Sequence, residues 1–196
     1  MSMTTWNEVK AWRKQTRKQL LERRTRIGAE HFFHCCAAIE RHLEEVLQRF
    51  QGKTLGFYWP FFKGEFDALP LAGEFLGKGG RSALPVFGKP FTPMQFCTWA
   101  PGQELVPGRF QIPMPKERNM VVPDVVLVPF LGFDRQCHRL GFGMAYYDIT
   151  LSALRPRPFA VGVGYEFQRL ETIYPQPFDV PMNLIVTENG QHKPSL

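Results

Sequence analysis

The sequence predicts an α/β protein: a three-layer α/β/α sandwich around a mostly parallel sheet, in one domain spanning residues 1–196. Three observations predict it. Segments of helical apolar spacing alternate with short β-rich runs, the order that builds parallel sheets. Val125–Pro129 is an uninterrupted apolar run, as in a parallel strand covered on both faces. A chain of 196 residues without internal repeat or linker suits a single core.

The elements follow in order. Residues 4–26 read as a helix, with Thr4 or Thr5 available as N-cap and Glu8 in the first turn. Residues 29–50 read as a second helix. Phe32, Phe33, Cys36, Ile39, Leu43, Val46, Leu47 and Phe50 recur there at helical spacing, and Gln51-Gly52-Lys53 ends it. A strand over 54–59 is stopped by Pro60, a helix over 65–76 ends at Gly77, and 81–87 is the next strand. Segment 88–122 is rich in Pro and Gly, with a strand at 94–99 and turns at Pro101-Gly102 and Pro107-Gly108. After Val125–Pro129, residues 145–154 suit a helix, and Phe159–Val163 and Leu184–Thr187 are the last strands.

Composition excludes several classes. With 44% hydrophobic and 21% charged residues the chain reads as soluble and globular. No apolar run is long enough to span a bilayer, and the N-terminus lacks a signal-peptide core, so a cytoplasmic location without membrane partners is expected. Cys35, Cys36, Cys97 and Cys137 form no C-x-x-C pair and read as free thiols. His31, His34 and Cys35 are close in sequence but read as polar residues of a helix. Residues 1–30 carry eight Lys or Arg against three Glu, within a net charge of +6. Such a helix serves nucleic acid, a solvated face or a phosphate. The rest of the chain is nearly neutral and has no nucleic-acid signature, so nucleic acid is not expected as a partner, and a solvated face or a phosphate contact stays open.

Three segments carry candidate chemistry. Residues 139–148 read R-L-G-F-G-M-A-Y-Y-D. Gly141 and Gly143 allow close backbone approach and positive φ. A loop entering a helix offers unpaired amides to an anion, Arg139 suits phosphate, and Asp148 suits Mg²⁺, which takes few protein carboxylates. The loop is neither a Walker A motif nor a dinucleotide fingerprint. Its structural alternative is a tight glycine turn with core tyrosines. Asp179, in a Pro-rich loop before the last strand, gains meaning only if the fold brings it near Asp148. Residues 58–65, Y-W-P-F-F-K-G-E, offer aromatic faces and one carboxylate, Glu65, which suit a flat nitrogen-rich heterocycle. The alternative there is a hydrophobic loop at the sheet edge, with Glu65 capping the next helix.

In this order the segments resemble the 5-formyltetrahydrofolate cyclo-ligase (5,10-methenyltetrahydrofolate synthetase) family. The likeness runs through nearly the whole chain. It covers a basic first helix with a K/R-x-x-x-R element, Leu84-Pro85, and Asp124, Pro129, Phe133 and Asp134. It continues through R-L-G…Y-Y-D to Asp179-Val180 and a strand ending Thr187-Glu188. The R-L-G…Y-Y-D element is the specific one. The resemblance implies ATP- and Mg²⁺-dependent closure of 5-formyltetrahydrofolate to 5,10-methenyltetrahydrofolate. By it, Arg139, Leu140, Gly141, Phe142, Gly143, Met144, Ala145, Tyr146 and Tyr147 would cradle ATP with Lys10 and Arg13. Asp148 and Asp179 would ligate Mg²⁺. Tyr58 and Glu65 would hold the pterin, and Tyr146 or Tyr147 would face the formyl end. Arg13 matches the first-helix cation; Lys10 is one residue closer to it than in the usual pattern. The implied partners are a reduced folate and ATP, with a monomer or homodimer as the assembly.

The chain departs from the pattern at Cys137, where Gly is usual, at Met144-Ala145, where a small or flexible pair is usual, and at Ile149. It also carries one more residue before Glu65. A Cβ at Ala145 opposes positive φ by roughly 1 kcal/mol. Two outcomes are therefore expected alternatives: a working ligase with an altered loop, or a paralogue that binds nucleotide or folate without this turnover.

Overall fold

The computed structural model describes residues 5–195. Helix α1 (Trp6–Thr25) starts at Thr5, whose hydroxyl accepts from the Glu8 amide while Glu8 accepts from the Thr5 amide, a reciprocal cap. Thr4 lies outside the described residues. Helix α2 (Ala29–Leu47) runs into a 3-10 turn at Gln48–Phe50, as the spacing predicted. Strand β1 (Thr54–Gly56) follows, then α3 (Leu69–Gly77), β2 (Arg81–Val86), β3 (Gln95–Trp99), β4 (Leu105–Pro107), β5 (Pro113–Pro115) and β6 (Met120–Val121). Next come β7 (Val125–Pro129), β8 (Gly132–Phe133), β9 (Arg139–Leu140), α4 (Tyr146–Ala153), β10 (Phe159–Val163), β11 (Leu184–Thr187) and β12 (Gly190–His192).

Eight strands form one sheet in the order β12-β11-β10-β7-β1-β2-β3-β6. The five central strands run parallel, with Leu55 opposite both Ser82 and Val125, and Val161 opposite Leu127. The outer pairings are antiparallel: β12 with β11, β3 with β2, and β6 with β3. Alternate side chains divide the core. Leu55, Leu84, Val125, Leu127, Val161, Val163, Leu184 and Val186 face α2 and α3. Ala83, Val126, Val128, Ala160 and Ile185 join Leu151 of α4 on the opposite face. The α/β/α layering is thus the one the sequence predicts. Strand β7 is buried on both faces, as its unbroken apolar run requires.

Two element boundaries differ from expectation. The strand predicted over 54–59 leaves the sheet at Gly56, although the Phe57 amide still reaches the Ala83 carbonyl, 3.0 Å away. The helix predicted from residue 65 begins at Leu69. Asp67 accepts from the Leu69 amide and Pro70 occupies the first turn, so the start signal lies four residues later. Glu65 does not cap that helix. Its Oε2 accepts from the Phe61 and Phe62 amides behind it, at 2.9 and 3.0 Å.

The chain reverses around β1: one arm proceeds to β2, the other side of β1 is occupied by β7. In open α/β sheets the crevice beyond the carboxyl ends of strands at such a switch point receives ligands. Tyr58, Trp59, Pro85, Phe87 and Pro129, which end or follow β1, β2 and β7, line a cavity there.

Candidate active site

The cavity holds about 650 Å³. Every candidate ligand- or metal-binding residue named from the sequence lines it: Lys10, Arg13, Tyr58, Glu65, Arg139 through Asp148, and Asp179. It has two chemically distinct ends.

The cationic end is built where α1 crosses the loop between β9 and α4. Arg13 and Arg17 are one helical turn apart and share a face. Arg13 is buried and donates to both carboxylate oxygens of Asp179, at 3.3 and 2.5 Å, and to the Ile173 and Tyr174 carbonyls. Asp179 also accepts from the Gln176 amide. Arg17 donates to the Gly141 carbonyl at 2.7 Å. Burial, then the neighbouring Arg13, lower the Arg17 pKa, with Asp179 opposing them. A Cβ on Gly143 would stand 3.4 Å from the Arg17 guanidinium carbon, and φ there is +94°, so the loop needs glycine at this position.

Arg139, on β9, is also committed within the protein. It donates to the Val180 carbonyl at 2.9 Å and meets Asp148 Oδ1 at 3.0 Å. That same oxygen accepts from the Val180 amide, which draws the Pro-rich loop to α4 and brings Asp148 and Asp179 to one end of the cavity. Among the described residues Asp148 Oδ2 has no hydrogen-bond partner, whereas both Asp179 oxygens are engaged. No three His, Cys, Asp or Glu side chains among the described residues cluster tightly enough to hold a metal by themselves.

Between Leu140 and Tyr146 the loop turns on Gly143 and Ala145. Ala145 has φ 54°, the left-handed conformation that its Cβ opposes, and it provides no side-chain cap for α4. No side chain of the N-cap residue satisfies the first turn of α4, whose residues Tyr146, Tyr147 and Asp148 line the cavity. Cys137, the other departure from glycine, also holds a positive φ of 59°. Its buried side chain packs with Phe133 and Met182.

The aromatic end combines Trp59, Phe61, Phe62, Phe87, Phe110 and Tyr146. Tyr146 meets Phe87 and Phe110 edge-on, at centroid distances of 5.1 and 6.3 Å. Its hydroxyl is sealed from solvent and has no hydrogen-bond partner among the described residues. The Tyr58 hydroxyl is spent on the Phe66 carbonyl, so Tyr58 offers only its ring. Glu65 is 8% exposed. Desolvation pushes its pKa up, against the Phe62 amide, the Arg24 charge and the Phe61 amide. Burial likewise pushes the Tyr147 hydroxyl up, helped by Glu65 and opposed by Arg139.

Sequence reasoning missed Arg17: it matched the K/R-x-x-x-R element to Lys10 and Arg13, which are three residues apart, whereas Arg13 and Arg17 have the full i,i+4 spacing. It also missed Trp6, Phe110, Ile112 and Phe178. Phe110 and Ile112 come from segment 88–122, folded over the cavity by the β4–β5 ribbon. No local pattern announces that placement.

The fold and its cleft define an α/β enzyme whose site opens at the carboxyl ends of a parallel sheet. More particularly, the chain belongs to the 5-formyltetrahydrofolate cyclo-ligase family, whose sequence model matches residues 9–188. The 5-formyltetrahydrofolate cyclo-ligase of Escherichia coli (strain K12) is 34% identical over 134 residues, covering 64% of this chain and 73% of its own. That of Haemophilus influenzae is 27% identical over 178 residues, covering 87% and 94%. Among solved structures, the Aquifex aeolicus 5,10-methenyltetrahydrofolate synthetase superposes with a TM-score of 0.79 at 29% identity, covering 92% of each chain. A Mycoplasma pneumoniae 5,10-methenyltetrahydrofolate synthetase gives 0.72 at 27%, covering 90% of this chain and 98% of its own. The membership makes this chain a ligase of folate one-carbon metabolism. No described helix is long and apolar enough to cross a membrane.

Proposed function

We propose that the protein uses ATP to cyclise 5-formyltetrahydrofolate to 5,10-methenyltetrahydrofolate, releasing ADP and phosphate. The observation that carries this reading is that one cavity joins a cationic glycine loop to an aromatic wall bearing a single carboxylate. The two ends suit a triphosphate and a pterin, held side by side.

In this reading Arg17, Lys10 and the uncapped amides of the 141–147 loop receive the phosphates. Arg13 is held by Asp179 and fixes the outer rim. Glu65 accepts from the pterin ring N–H groups while Trp59, Phe87 and Phe110 cover its faces. The formyl oxygen attacks the γ-phosphate and ADP leaves; N10 then attacks the activated formyl carbon, gives up its proton to solvent, and phosphate leaves. The Tyr146 hydroxyl, which has no partner among the described residues, would hydrogen-bond near the reacting end once the ligand displaces the packing that seals it. Such transfer depends chiefly on positioning and charge stabilisation. The donor set fits Mg²⁺ in one respect: Asp148 has an uncommitted oxygen, and this ion takes one or two carboxylates beside phosphate oxygens. Asp179 would join only by loosening its pair with Arg13. Bound there, Mg²⁺ would neutralise phosphate charge, while Arg139 orients Asp148.

The test is absorbance in the methenyl-folate band on mixing protein, Mg²⁺, ATP and 5-formyltetrahydrofolate. A rise requiring both ATP and metal is expected. No rise, with either ligand still binding by calorimetry, would instead favour a paralogue without turnover, the reading that the strained Ala145 motivates. In the same assay Asp148→Asn should lower kcat by about a hundredfold or more in a chain that still folds, with a lowered melting temperature because the buried Arg139 loses its counter-charge. Full activity in that variant would refute the metal role.

A further inference from the structure

The buried cation Arg24 lies outside the cavity lining, yet it touches both loops that form the cavity. It stands on α1 and is 3% exposed. Its Nη2 is 3.8 Å from Glu65 Oε1, with both side chains nearly sealed from solvent. Its guanidinium carbon lies 5.7 Å from the centroid of the Phe142 ring. Phe142 stacks on Phe62 with centroids 4.2 Å apart and planes 11° from parallel. The Phe62 amide in turn donates to Glu65. The circuit Arg24–Glu65–Phe62–Phe142–Arg24 is closed.

The pair at its centre is poorly made as a stabilising device. At 3.8 Å it forms no hydrogen bond, and Arg24 Nε and Nη2 have no partner among the described residues. A buried pair without such bonds does not repay its desolvation. Burial lowers the Arg24 pKa and raises that of Glu65, so each group is held against its own hydration. The Arg24 carbonyl would stand 3.0 Å from a Cβ at Gly64, so the carboxylate loop rests directly on α1. Buried polar groups left unsatisfied call for an explanation, and a role in positioning is one.

We propose that Arg24 is a positioning residue that couples the two ends of the cavity, so that a ligand on Glu65 tightens the glycine loop and a triphosphate in that loop tightens Glu65. The proposal rests on the reading that a reduced folate and ATP share this cavity. Movement of Glu65 toward Arg24 spends the idle N–H groups and shifts the cation over Phe142. Reordering of Phe142 acts back through Phe62 on the carboxylate loop. Such coupling is reciprocal: each ligand changes the affinity of the other by one factor.

The experiment measures the Kd of 5-formyltetrahydrofolate by calorimetry, with and without saturating Mg²⁺ and adenylyl imidodiphosphate, a non-hydrolysable ATP analogue, and then the converse. The intact protein should give the same factor in both directions, about fivefold or more. In Arg24→Met the factor should fall to about one, while Arg24→Lys, which keeps charge without the plane, should lie between. Because Arg24→Met removes a buried charge, folding is checked by thermal unfolding. The partly exposed Phe62→Leu serves as a second variant, and it should also bring the factor toward one. An unchanged factor in either folded variant, or no coupling in the parent protein, overturns the proposal. These readings need no turnover: coupling without methenyl absorbance would defeat the proposed reaction alone, turnover without coupling would defeat this inference alone, and failure of both ligands to bind would defeat both.

Discussion

Cys137 and Ala145 both hold a left-handed backbone, at φ 59° and 54°, without being glycine. For an L-residue that conformation costs about 1–2 kcal/mol. The two positions differ in what offsets the cost. Cys137 is 1% exposed, packs in the core and donates through sulfur to the His192 carbonyl at 3.5 Å. Ala145 has no comparable packing, and neighbouring Met144 is exposed. Ala145→Gly should therefore stabilise the protein by roughly 0.5–1 kcal/mol, the strain relieved exceeding the entropy that glycine adds to the unfolded chain. Cys137→Gly should be neutral or destabilising by about 1 kcal/mol, because the relief is offset by a small cavity. Urea unfolding of the two variants checks both expectations, and a loss of stability in Ala145→Gly would refute the strain argument. Both departures were legible in the sequence, Cys137 as a missing glycine and Ala145 as part of a pair that is usually small or flexible. What the cysteine side chain does instead was not, because its core neighbours are distant in the chain.

Elements whose signal is local were read correctly. Helix α2 is announced by Ile39, Leu43, Val46 and Leu47, all buried, and β7 by its apolar run. The short strands β4, β5, β6, β8, β9 and β12 were not read. Each is two or three residues long and defined by a partner rather than by its own pattern. The β11–β12 edge illustrates this dependence. Glu166, before it in the chain, accepts from Thr187 on β11 at 2.8 Å and meets His192 on β12 at 2.9 Å. Desolvation works against the Glu166 carboxylate, but the Thr187 hydroxyl, His192 and Arg169 together hold its pKa below the ordinary 4.5. A carboxyl depressed in the folded state contributes stability that is complete above its unfolded pKa and is lost as pH falls through the folded one. Glu166→Gln should therefore be less stable than the parent by a constant amount at neutral pH. The difference should shrink as pH drops below 4.5. Parallel pH series of unfolding free energies would show it, and a difference that grows on acidification would contradict the assignment.

At the scale of the molecule, the architecture was legible because strand and helix signals alternate, and much of the lining of the candidate site was legible because one motif runs contiguously from Arg139 to Asp148. Arg17, Phe110 and Phe178 escaped notice because only the folded chain brings them to one cavity. A cavity assembled from so many elements predicts a global response to ligand. ATP with Mg²⁺ at a hundred times its Kd should add about 2.7 kcal/mol to the unfolding free energy. For a chain of this length that raises the melting temperature by roughly 5–10 °C. Calorimetric scans with and without nucleotide would check this, and an unmoved transition would contradict nucleotide binding. The pair between Arg13 and Asp179 has a further consequence during synthesis. Its members lie 166 positions apart, and Arg139 and Asp148 meet the same late segment through Val180. A nascent chain arrested before that segment emerges carries the glycine loop and the aromatic wall but lacks the clasp that fixes the cationic rim. Its ligand affinity should therefore arrive in one late step of translation, and prematurely terminated chains should not compete for nucleotide.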